Sequence, residues 1–125
     1  MNGRPLRALV TAALACAVAP GCGPLVCTEE ARFSVQLEVR DPSGAPVVPD
    51  EVEFTVDGGD PTIVDCAMAD RFRCDDGNVA IGIEEEGEFD IIVRRGDDSA
   101  RTTVVVGANH CHVNTERVTV TLPSP

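Results

Sequence analysis

Phe33, Val35, Leu37 and Val39 alternate with Ser34, Gln36, Glu38 and Arg40, and no other feature of the chain restricts its fold as tightly. A period of two puts one face of a strand into a core and the other into water. The pattern returns at Val52, Phe54, Val56, at Val79, Ile81, Ile83, at Phe89, Ile91, Val93 and at Val118, Val120, Leu122. Between these runs stand turn formers: Asp41-Pro42-Ser43-Gly44, Gly58-Gly59-Asp60-Pro61, Asp75-Asp76-Gly77-Asn78 and Gly96-Asp97-Asp98-Ser99. Short strands at this spacing, without a helical period, predict an all-β fold, a small antiparallel β-sandwich of about seven strands. Strands are expected over 32–40, 50–56, 79–84, 89–95, 102–106 and 116–122. Phe33, Phe54, Phe72 and Phe89 are expected in the core, with Ile63-Val64 anchoring the irregular stretch 62–76. Ala45-Pro46-Val47-Val48-Pro49 should run extended along an edge, where missing amide donors cost the ladder nothing.

The first part of the chain does not read as domain. Arg4 and Arg7 precede an apolar run, Ala8 to Ala19, too short to span a bilayer as a mature helix, so 1–21 is expected to be a secretory signal. Val18-Ala19-Pro20-Gly21-Cys22 resembles a bacterial lipoprotein cleavage box, which implies that Cys22 becomes the acylated N-terminus. Ala13-Leu14-Ala15-Cys16 is a less well placed match, and an ordinary cut near Gly21 or Gly23 is the alternative. Acylation of Cys22 leaves Cys27, Cys66, Cys74 and Cys111, an even number suited to an oxidising compartment. The organisation expected is therefore a signal over 1–21, a lipidated tether over 22–31 and a sandwich over 32–123.

All 21 acidic residues follow the signal, against eight arginines and no lysine, a formal charge of −13 for the remainder. That excess repels phosphate backbones and anionic headgroups, so nucleic acid is a poor partner and membrane attachment falls to the lipid. The chain lacks Trp and Tyr, whose rings commonly give sugar-binding modules their affinity. Glu51, Glu53, Thr119 and Thr121 on outward faces leave no broad apolar surface.

The stretch 32–122 resembles the bacterial carboxypeptidase regulatory-like or transthyretin-like domains, and more generally the Ig-like modules of secreted bacterial proteins. The matches are Val39 to Val47 around the first turn, Asp75 to Ile81, and Gly87 to Val93 before Gly96; the cysteine-bracketed stretch 62–74 is an insertion against that pattern. The resemblance implies a seven-stranded, prealbumin-like or Ig-like sandwich without chemistry of its own, serving as spacer, support or binding surface. Four cysteines permit three pairings. If seven strands alternate in direction, the starts of the first and last lie together, favouring Cys27 with Cys111 and Cys66 with Cys74. Two full strands at 62–66 and 71–74 would reverse that parity.

Several constellations could carry chemistry. His110 and His112 form an H-x-H pair that, in an extended segment, points one way, but two ligands are too few for zinc unless Glu116 completes the set. Asp75, Asp76 and Asn78, or Glu84, Glu85, Glu86 and Glu88, offer oxygens to calcium without the spacing of a helix-loop-helix calcium loop. Ser34, Ser43 and Ser99 lack a nucleophile-elbow context, and Cys66 and Cys74 are too far apart for a C-x-x-C redox pair. The sequence therefore predicts no catalytic residue, metal or cofactor. It predicts an extracytoplasmic envelope lipoprotein domain whose partner is another envelope protein. A calcium-binding adhesion module and a small soluble secreted domain are the alternatives.

Overall fold

The computed structural model describes residues 26–125; the signal segment 1–21 and the lipidation candidate Cys22 lie outside the described residues. Eight strands follow in order: β1 Phe33–Arg40, β2 Glu51–Val56, β3 Thr62–Asp65, β4 Cys74–Asp75, β5 Asn78–Ile83, β6 Gly87–Arg95, β7 Asp98–Val106 and β8 Glu116–Thr121. They form two four-stranded sheets, ordered β4-β5-β1-β8 and β3-β2-β6-β7, packed face to face as a β-sandwich.

The inward faces carry the alternation read from the sequence. Val35, Leu37 and Val39 meet Val52, Phe89, Ile91 and Val93, all fully buried, with Val79, Ile81, Val64 and Leu122 beside them. Phe54 and Phe89, from neighbouring strands, stack with ring centroids 5.6 Å apart. Outward positions hold exposed cross-strand ion pairs, Arg94 with Glu53 and Arg101 with Asp90, which contribute little individually.

Every pairing is antiparallel except one: β8 runs parallel to β1, Val35 opposite Glu116 through Arg40 opposite Thr121. The starts of the first and last strands therefore lie together, and Cys27, before β1, is bonded to Cys111, before β8. Residues 62–75 do not reverse the parity, because Arg71–Arg73 is a 3-10 turn and β4 is only two residues long. The crossover between them is closed by Cys66–Cys74, whose two cysteines are buried. Asp65 and Asp70 shape it from within, Asp65 Oδ1 accepting from the amides of Ala67 and Met68, and Asp70 Oδ2 from that of Asp65.

Four expectations need correction. Phe72 is not core: it lies on the 3-10 turn at 80% exposure, because the buried disulfide fills the place an aromatic anchor would take. Phe33 is half-buried under the Arg73 guanidinium. Ile63 and Ile83 are half exposed, the first facing outward from an edge strand and the second ending β5. Ser34 does not face water but is fully buried, donating to Glu85 O (2.7 Å) and accepting from Glu85 N (3.0 Å). The cause is Gly82, whose φ of +70° turns the chain so that a Cβ there would lie 2.9 Å from the Ser34 side chain and 3.0 Å from the Phe89 ring. Only glycine takes that backbone conformation at little cost and leaves room for the serine.

The turns obey their local chemistry. Asp76 and Gly77 both have positive φ, the requirement of a two-residue hairpin joining β4 to β5. Asp41 Oδ1 accepts from the amides of Ser43 and Ala45 and from the Ser43 hydroxyl, holding the turn after β1. Pro46 forms only an isolated bridge to Arg40, in keeping with an extended edge segment.

Candidate functional site

Polar groups converge most densely where β1 and β8 begin. The β5–β6 turn, pinned from below by Ser34, places Glu84 at φ +52° with its carboxylate turned toward two other segments. Glu84 Oε1 accepts from the Arg32 amide (2.9 Å) and from His112 Nδ1 (2.6 Å), while Oε2 accepts from the Val113 amide (3.1 Å). The Glu84 amide in turn donates to Arg32 O (2.9 Å). A single side chain thus joins the N-terminal leash, the β5–β6 turn and the loop before β8.

The loop has its own frame. Asn109 Oδ1 accepts from the amides of Cys111 (2.8 Å) and His112 (2.9 Å), and Asn109 N donates to His112 O. This folds 110–112 into a bend and presents Cys111 to Cys27 and the His112 ring to Thr28 Oγ1, 2.9 Å from Nε2. An ionised carboxylate only accepts, so Nδ1 carries the proton shared with Glu84, and Nε2 is left facing the Thr28 hydroxyl. The His112 hydrogen bond is the main cause holding the Glu84 carboxyl below its ordinary value; the amides of Arg32 and Val113 add to it, and partial desolvation opposes it. Beside this clasp of Thr28, Arg32, Glu84, Asn109 and His112 lies an open cleft of about 420 Å³, walled by Glu29, Glu30, Glu86 and His110 together with Glu84, Asn109 and His112.

Thr28, His112 and Glu84 stand in the order hydroxyl, imidazole, carboxylate, which is the order of a nucleophilic relay. Acyl transfer also needs N–H donors aimed at a developing oxyanion. Three amides of this loop are spent elsewhere: those of Cys111 and His112 on Asn109, and that of Val113 on Glu84. What the arrangement does in this structure is hold the leash.

The residues singled out from sequence separate accordingly. Cys27 with Cys111 and Cys66 with Cys74 are paired as favoured. His110 and His112 do not share an extended segment; His110 is exposed, and both ring nitrogens of His112 are engaged by protein. Asp75, Asp76 and Asn78 are exposed around the β4–β5 hairpin. No group of three or more His, Cys, Asp or Glu is placed to hold a metal ion among the described residues. Sequence reasoning missed Glu84 as a hub, Thr28, Arg32 and Asn109 as its partners, and Ser34 as its support. Glu84 sits in a run of three glutamates, and only the backbone turn distinguishes it from the next two.

No protein-family model matches the sequence, and no curated protein matches it. Among solved structures, one similar chain comes from work on conserved hydrophobic clusters on the surface of the Caf1A usher C-terminal domain, important there for F1 antigen assembly. It is 18% identical, the match covers 72% of this chain and 96% of that one, and the TM-score is 0.43.

Proposed function

We propose that the chain is a non-catalytic domain of the bacterial envelope, exported by residues 1–21, anchored through acylated Cys22, and acting as a structural or protein-interaction module. The observation that carries this reading is the Cys27–Cys111 bond, which staples the leash to the sandwich. Cys22 stands only five positions before that staple, a reach of at most about 18 Å. An acyl chain at Cys22 then keeps the Glu84 end of the sandwich next to the bilayer and turns the opposite end and both outer sheet faces toward other envelope proteins. Two disulfides fit an oxidising extracytoplasmic compartment, and the excess of acid on the surface leaves attachment to the lipid. The bacterial Ig-like label belongs to this reading, with the carboxypeptidase regulatory-like relationship as its finer form.

Mass spectrometry of the membrane fraction tests it. The expected mature N-terminus is diacylated Cys22, and Cys22→Ser should move the protein from membrane to soluble fractions. A mature terminus elsewhere, or an unlipidated chain in the medium, overturns the anchor and leaves a small soluble secreted domain.

A further inference from the structure

The two long sides of the sandwich are built differently. On one, the edge strands β3 and β4 are four and two residues long, Pro61 precedes β3, and the Cys66–Cys74 crossover seals the gap between sheets. Core-facing residues there, Val64, Cys66 and Cys74, are at most 5% exposed. On the other side stand β8 and β7. β8 has six residues, starts with Glu116-Arg117, and is followed closely by Pro123. β7 has nine, pairs with β6 without a slip from Asp98 to Val106, and contains no proline, lysine or bulge. Its last five residues, Thr102 to Val106, are β-branched and uncharged. Its core-facing Ala100, Thr102 and Val104 remain only half-buried, and Val105 is 67% exposed on the outer face. Sheet proteins ordinarily blunt such an edge with charge, proline or irregularity. Among the described residues, β7 is the longest edge strand, and beyond Asp98 and Arg101 it carries none of these devices: Thr102 to Val106 has no charge, proline or bulge.

We propose that β7 is an interface between two copies of this chain, joined edge to edge as antiparallel strands about a two-fold axis at Thr102. The choice of a second copy rests on charge. Thr102 is the midpoint of Asp98–Val106, so this register pairs all nine residues. It sets Arg101 opposite Thr103 of the second copy and Ser99 opposite its Val105, with no like charges facing one another. Within one chain Thr103 is paired with Asp90, and Asp90 already binds Arg101 on the exposed outer face at 3.2 Å. Across the axis, Arg101 therefore lies over Thr103 of the second copy in line with that copy's Asp90, about 10 Å away between backbones, within reach of a guanidinium. On the core side Val104 of each copy comes to rest against Ala100 of the other, covering the half-exposed seam. The contact is isologous and closes at two copies. It goes beyond the envelope reading, does not depend on acylation of Cys22, and points the leash poles of the two copies in opposite directions.

The test uses the full chain with its own leader, carrying Cys22→Ser so that a shared bilayer does not hold both copies in one orientation. Directly opposed residues in an antiparallel pair have Cα atoms about 4.5–5.5 Å apart, within disulfide reach. Thr102→Cys should therefore give a covalent dimer on a non-reducing gel. Ala100→Cys and Val104→Cys, each roughly 13 Å from its own copy along the strand, should not, but coexpressed they should link to each other. Charge separates association from folding. Thr103→Arg faces Asp90 in its own chain but Arg101 in the second copy, so it should hold or raise the melting temperature while weakening dimerisation roughly tenfold in sedimentation runs. Thr103→Glu should do the reverse. Absence of the Thr102→Cys dimer from folded protein, equal yields along the strand, or association indifferent to both Thr103 variants would each overturn the proposal. Should Thr102→Cys fail to fold, the sedimentation comparison decides alone.

Discussion

Gly82→Ala is the sharpest test of how the clasp end is packed, and Gly96→Ala is its natural control. Both glycines have positive φ, +70° and +59°. An added Cβ at Gly96 meets nothing within 4 Å, so only the left-handed conformation is penalised, about 1–2 kcal/mol. At Gly82 the same penalty applies, and the Cβ also lands 2.9 Å from Ser34 Cβ and Oγ and 3.0 Å from Phe89 Cε2. Neither neighbour has somewhere to go: Ser34 is tied twice to Glu85, and Phe89 is fully buried against Phe54. Overpacking of this kind costs about 1–3 kcal/mol more, so Gly82→Ala should destabilise by about 2–5 kcal/mol in total. A domain of this size has roughly 5–15 kcal/mol to lose. Urea unfolding of the two variants beside the parent gives both values with unchanged m if the native state is otherwise intact. Equal losses, within about 0.5 kcal/mol, would refute the close approach of Gly82 to Ser34 and Phe89 and with it the account of the buried serine.

Phe89→Ala should cost about 3–5 kcal/mol, and Phe72→Ala, at an exposed site, less than about 0.5 kcal/mol; the reverse order in the same melts would contradict the burial described. Glu84 carries a folded-state pKa below its ordinary 4.5, so its contribution is present above that pH and is lost as pH falls through the lower folded value. Acid titration of unfolding should show this loss below pH 4.5, and Glu84→Gln should flatten it; an identical acid limb in the variant would refute the clasp. Joining residues 84 apart in sequence, Cys27–Cys111 should stabilise by about 4–5 kcal/mol through loop-closure entropy. In Cys27→Ser/Cys111→Ser, trypsin should cut at Arg32, the leash's only basic residue, faster than in the parent, and unchanged cleavage would show that the leash is not held.

The alternation made most of the sandwich legible, because a strand with one buried face must write that face into every second residue. Runs such as Val35 to Val39 and Phe89 to Val93 have no other good reading. Where the period failed, something other than burial was shaping the backbone. Residues 62–75 take their course from the Asp65 and Asp70 side chains and a disulfide, neither of which imposes a repeat. The sequence predicts β7 only from Thr102, because Gly96-Asp97-Asp98-Ser99 reads as a four-residue turn; positive φ at Gly96 tightens it to two residues and lets pairing start at Asp98. Parity alone sends Ser34 to water, and a glycine two residues before Glu84 on another strand overrides it. The clasp was still less visible. Its members, Thr28, Arg32, Glu84, Asn109 and His112, are ordinary surface residues up to 84 positions apart, and only the parallel placement of β1 beside β8 brings them together.

That parallel pairing ties the architecture to its proposed use. Adjacent antiparallel strands end at opposite poles, so a leash entering β1 would have met the far end of an antiparallel β8. With β8 parallel to β1, the segments preceding both strands lie side by side, and one disulfide and one glutamate suffice to fix the leash to the last loop. The pole nearest the leash is thereby occupied, and the crossover side is sealed by the second disulfide. What remains open to a partner is the side of the sandwich where β7, uncharged from Thr102 to Val106, forms a long regular edge, and because the two-fold at Thr102 reverses the second copy, pairing there sets the two leash poles at opposite ends instead of side by side.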